Sequence, residues 1–135
     1  MIPRGEDGVL SGFVAVVAAA LVMVAGMVYD GGHLVAAQAE ARELAAAAAR
    51  AGAQEVDLDA ARSGQGPLLD PERATAAAEG FLTASGHDGQ VRIDGDTVAV
   101  TVTLHEAMRV LPLAARTVSA TEVASALDQV RGSRP

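Results

Sequence analysis

The hydrophobic pattern of this chain changes period twice, and each change marks a different kind of element. From Gly8 to Tyr29 the pattern has no polar interruption beyond Ser11: GVLSGFVAVVAAALVMVAGMVY carries no charge between Asp7 and Asp30. At 1.5 Å per residue a helix of this length crosses a hydrocarbon core of roughly 30 Å. A charged side chain at mid-bilayer costs about 2.5–3.5 kcal/mol, so a clean run of this length predicts a transmembrane helix. Tyr29 closes it where an amphipathic ring prefers the headgroup level.

Past Asp30-Gly31-Gly32 the period becomes helical. Residues 34–56 are rich in strong helix formers, and Leu34, Ala37, Ala41, Leu44, Ala45, Ala48 and Ala51 fall on one narrow apolar stripe. The two glycines either bend the rod at the membrane surface or let Asp30 cap a fresh helix. Residues 57–69 read as a loop. A second, short helix then opens with Asp70 as N-cap and Pro71 at the first helical position, buries Ala74, Ala77, Ala78, Phe81 and Leu82, and stops at Gly86. From Gln90 the period is two: Val91 and Ile93, the turn pair Gly95-Asp96, then Val98, Val100, Val102 and Leu104. Residues 106–115 form a connection broken by Pro112, and Arg116 to Ala124 is a third strand.

These elements predict an α+β fold: an N-terminal transmembrane helix extended by an Ala-rich helix, a second short helix, and a small antiparallel sheet of two to three strands. The domain boundaries follow as a cytoplasmic head at 1–8, the transmembrane helix at 9–29 and an extracytoplasmic α+β domain at 30–135. A cleaved secretory signal is the rival reading of the N-terminus. Its apolar core is usually shorter and stands behind several positive charges. Here the run is long, Arg4 stands beside Glu6 and Asp7, and the nearest downstream A-x-A is Ala37 to Ala39. An uncleaved anchor is expected. Arg4 and the α-amine oppose only the distant Arg42, which places the N-terminus on the cytoplasmic side.

Small residues recur along the span, and Gly8, Gly12, Ala15, Ala19 and Gly26 are expected to permit close helix packing in the membrane. The stripe Ala41, Leu44, Ala45 and Ala48 is expected to offer a similar surface to a partner helix. Thirty of the 135 residues are Ala and three are aromatic, so any core is thin.

Charge and candidate chemistry narrow the function. The formal net charge is −7 and all ten basic residues are Arg, without a basic cluster. Nucleic-acid binding is therefore not expected. With no Cys, disulfides and thiolate metal sites are impossible. His33, His87 and His105 fall in separate elements, and Asp57-Leu58-Asp59 and Asp94-Gly95-Asp96 lack a calcium loop's ligand ladder. No nucleophile has a base at a recognised spacing. The expected protein is not an enzyme, holds no metal or cofactor, and takes no small-molecule substrate.

The order of parts resembles a known family. The stretch RGEDGVLSGFVAVVAAALVMVAGMVYDGGHLVAAQAEARELAAAAARAGAQ is similar to the N-terminal half of the actinobacterial TadE/TadG-like proteins of tight-adherence (Flp-type IV) pilus assembly. Those have a short Arg-Gly head, an apolar span ending in a D-G-G element, here Asp30, Gly31 and Gly32 at the membrane surface, and an Ala-rich helix. The strand with Val118, Ser119, Ala120 and Thr121 is similar to the family's closing strand. The resemblance implies a pilin-like fold and a membrane-anchored accessory or pseudopilin-like subunit of a pilus or related type II/IV secretion machine. Its partners would be membrane lipid, pilins, other minor subunits and the inner-membrane assembly platform. The chain departs from the family pattern where prepilins carry Glu five residues after the cleaved Gly: after Gly5 that position is Leu10, and after Gly8 it is Phe13. Cleavage by a prepilin peptidase is therefore not expected. The alternative is a membrane-tethered extracytoplasmic binding or regulatory module of another envelope complex.

Overall fold

The computed structural model describes residues 6–64, 67–107 and 114–126, with side-chain surroundings from Leu10 onward. Its longest element is α1, Glu6–Ala53, a helix of 48 residues and about 70 Å. It runs without a break through Asp30, Gly31 and Gly32. The sequence left open a bend or a fresh cap there, and the boundary between 29 and 30 falls inside one helix. Each Gly costs about 1 kcal/mol in a helix interior. Restarting a helix would cost a new nucleus and would expose backbone groups that the continuing ladder satisfies.

After α1 come α2 (Leu58–Arg62), α3 (Pro71–Ala84), β1 (Gly89–Asp94), β2 (Thr97–Glu106) and β3 (Arg116–Ser125). Helix α2 lies where the sequence suggests only a loop. Asp57 creates it: its Oδ1 accepts from the backbone N–H groups of Asp59 at 2.9 Å and Ala60 at 3.1 Å. Asp70 caps α3 in the same way, accepting from Glu72 and Arg73 at 3.1 Å, with Pro71 in the first turn. At the other end Gly86 takes φ +75, its N–H donates to Thr83 O, and the His87 N–H reaches back to Leu82 O. That is the Schellman closure expected of a C-terminal glycine.

The strands form one antiparallel meander in the order β1-β2-β3. Gly95 and Asp96 make the two-residue turn, with positive φ at Gly95 only, as a type II′ turn requires. One face of the sheet is the core face. Val98, Val100 and Val102 are fully buried there, and Leu82 of α3 is nearly so. They pack with Ala41, Ala45, Ala48, Ala49 and Ala53 of α1, Ala74 and Ala78 of α3, and Ala120 of β3.

Two contacts fix the direction of α1 under the sheet. Gln38 Nε2 donates to Ser119 O on β3 at 3.2 Å. Near the helix end, a Cβ on Gly52 would come within 3.2 Å of Val98 Cγ1, and Val98 pairs with Ala124. Helix α1 therefore advances alongside β3 in the same direction. Helix α3 returns the other way: Ala74 O lies over Gly52, and His87 Nε2 approaches Glu40 Oε1 at 3.7 Å.

Candidate functional site

The candidate functional surface is α1, and its two halves differ in exposure. From Leu10 to Ala25 every residue is exposed. Leu10, Phe13, Leu21, Val22 and Met23 are each about two-thirds exposed, and Val28 is 72% exposed. Monomeric soluble proteins rarely expose a contiguous apolar surface of this size. The protein has one N-terminal helix long and apolar enough to cross a membrane.

At 100° per residue, Gly8, Gly12, Ala15, Ala19 and Gly26 fall on a single face of α1. Gly8 lies outside the residues whose surroundings are described. Gly12 has no atom within 4 Å of an added Cβ, and Ala15 and Ala19 are exposed. Gly26, in contrast, is buried by the chain itself. The same face continues upward through Asp30, Ala37, Ala41, Ala45 and Ala48, all buried. The small-residue face of the span and the domain-bearing face of the helix are thus one line.

The Asp-Gly-Gly element divides in two. Asp30 is 4% exposed, inside the helix and partnered, so it is a buried polar residue and not a cap. Gly31 and Gly32 face open space. One turn away, the rings of Tyr29 and His33 meet edge to face at 4.7 Å on the exposed side.

The stripe expected to serve a partner helix is occupied within the chain. Ala41, Ala45 and Ala48 are fully buried against β2, β3 and α3, and Leu44 packs against the same cluster. Small side chains do allow the close approach that the pattern signals. The surface they admit is this protein's own sheet, so the stripe is core and is not available to another helix.

Beside it runs a shallow groove lined by Arg42, Glu43, Ala46, Ala47, Arg50 and Glu122. Glu122 pairs with Val100 and so sits on the core face of β3, half-buried. An inward charge on an edge strand disfavours the addition of another strand, and Gln38 already engages the carbonyl of Ser119 on that edge. Alternation in a strand reveals such a position, but only once the face of β3 is known. The outer face of β2 and β3 carries Thr97, Ala99, Thr101, Thr103, His105, Thr117, Ser119, Thr121, Val123 and Ser125 and no Asp, Glu or Arg, with the Thr101 and Thr121 hydroxyls 2.8 Å apart.

The three histidines stay apart. His33 meets Tyr29, His87 Nδ1 lies 2.8 Å from Ser85 O, and His105 is exposed on β2. Among the described residues no group of three or more His, Cys, Asp or Glu is placed to hold a metal ion. Comparison with family models, curated proteins and solved structures finds no match.

Proposed function

We propose that this protein is a membrane-anchored accessory or pseudopilin-like subunit in the assembly of a tight-adherence (Flp-type) pilus or a related secretion machine. The observation that carries the reading is the division of α1. About 30 Å of bare apolar helix runs straight into a half that is clad by an antiparallel sheet. A subunit so built is held by its N-terminal helix in the cytoplasmic membrane and presents a small domain outside it. The similarity of the head, span and Asp30-Gly31-Gly32 element to the TadE/TadG-like proteins supplies the machine. The slight Arg4 bias supplies the orientation, with the N-terminus inside. Lipid and the other assembly subunits are its partners in this reading.

Affinity purification of the tagged full-length protein from detergent-solubilised, carbonate-washed membranes tests the proposal. Recovery of polytopic assembly-platform proteins or minor pilins is the expected result. Recovery of an envelope kinase or protease in their place would make the protein a regulatory module. Loss of the full-length chain to the carbonate supernatant would remove the anchor altogether.

A further inference from the structure

We propose that the paired ends of β2 and β3 form a foot that stands on the phosphate headgroups of the bilayer, so that the domain is seated on the membrane and not held above it. The proposal rests on the apolar run being a membrane span. Its position comes from α1 and β3 advancing side by side.

Gln38 meets the strand at Ser119. Arg116 begins β3 three residues earlier, about 10 Å closer to the span. The same descent along α1 covers roughly seven residues and arrives near Asp30. Arg116 pairs with Glu106 at the end of β2, so both strand ends lie at the level where the apolar run stops. Burial gives an independent measure of the same level. Asp30, the first residue past the apolar run, is covered by the chain, whereas a domain on a stalk would leave it bare.

The other parts of the domain stand clear. His87 lies beside Glu40, about 15 Å further up α1 than Asp30. The Gly95-Asp96 turn is at the far end of β2, about 30 Å away. The foot also has suitable chemistry. Arg116, His105 and Thr117 are exposed there, Glu106 is half-buried, and Tyr29 and His33 present an aromatic pair at the same height on α1. An exposed guanidinium binds phosphate oxygens through a planar fork of donors.

Because the chain has no Cys, Thr117→Cys and Val123→Cys each give a single label on an exposed outward position of β3, about 20 Å apart along the strand. The full-length protein would be reconstituted into vesicles of phosphatidylethanolamine and phosphatidylglycerol containing a headgroup-nitroxide lipid. A fluorophore at 117 should be quenched several-fold more than one at 123, and Arg116→Glu should reduce the quenching at 117. Equal quenching at the two positions, in protein that floats with the vesicles, would overturn the foot and leave the anchor standing. Unchanged quenching in Arg116→Glu would overturn the headgroup contact. Protein that fails to float with the vesicles at all would remove both the foot and the anchor.

Discussion

The lower and upper halves of α1 share a composition and differ in almost everything else. Ala15, Ala18, Ala19 and Ala20 are exposed, whereas Ala37, Ala41, Ala45, Ala48 and Ala49 are buried. The lower half turns Leu, Val, Met and Phe outward and leaves them exposed. The upper half turns charges outward (Glu40, Arg42, Glu43, Arg50) and keeps its smallest side chains for the sheet. One helix thus presents two kinds of surface. In the lower half the large side chains are the exposed surface, and under the proposed anchoring lipid would cover them. In the upper half the absence of side chain is the functional property, because it brings a helix backbone close to Val98, Val100 and Val102.

The comparison is broken most severely by a charge in the upper stripe. Ala48→Glu buries a carboxylate among Ala and Val side chains, and the expected loss of about 3–5 kcal/mol is comparable to the whole stability of so small a domain. Loss of protection against limited proteolysis from residue 54 onward should report it, while the protein still partitions with membranes. Ala19→Leu, on the lower half of the same face, should leave the proteolysis pattern unchanged.

The complementary change is Val17→Arg. It should cost insertion about 2.5–3.5 kcal/mol and leave the fold of the domain alone. A glycosylation-site insertion assay would show the shift, and equal insertion of wild type and variant would deny that residues 9–29 form the span.

A finer comparison uses the glycines. At Gly52 a Cβ would lie 2.9 Å from Ala74 O, so Gly52→Ala should destabilise the domain by about 1–3 kcal/mol. Gly31 and Gly32 face open space, so replacing each with Ala should stabilise the helix by up to about 1 kcal/mol. Thermal unfolding in detergent should move in opposite directions for the two sets. A fall at 31 and 32 would mean that these glycines serve something other than the isolated fold.

Those glycines also show how far the sequence could be read. The long apolar helix, the capped start of α3 at Asp70-Pro71, its stop at Gly86, the Gly95-Asp96 hairpin and the third strand were legible because each has a local cause: a charge-free run, a side chain that caps, a glycine with positive φ, an alternation. Helix α2 was missed because a five-residue helix has no periodicity to detect, although Asp57 carries its cap in plain view. The continuity of α1 was missed because Gly31-Gly32 weighs locally against a helix, while the reasons to continue lie on either side of it. At the candidate site, the stripe of Ala41, Ala45 and Ala48 announced a close contact correctly and its owner wrongly. Small residues encode how near a neighbour comes. Which neighbour it is depends on the strand register that places Val98, Val100 and Val102 beneath them, and on the burial of Asp30, which no local pattern declares.

An unbroken α1 makes the molecule a lever. The arm from Asp30 to Ala53 is about 35 Å long, and if the apolar run spans a membrane as proposed, the continuous helix carries this arm with every inclination of the span. Transmembrane helices commonly tilt by about 20°, which sweeps the tip of such an arm through about 12 Å. In that setting lateral forces on α2 or the hairpin turn would likewise be returned to the bilayer as torque. If the foot stands where the strand ends place it, the sweep is one-sided: leaning toward the sheet is stopped by the headgroups, and leaning away lifts the foot clear.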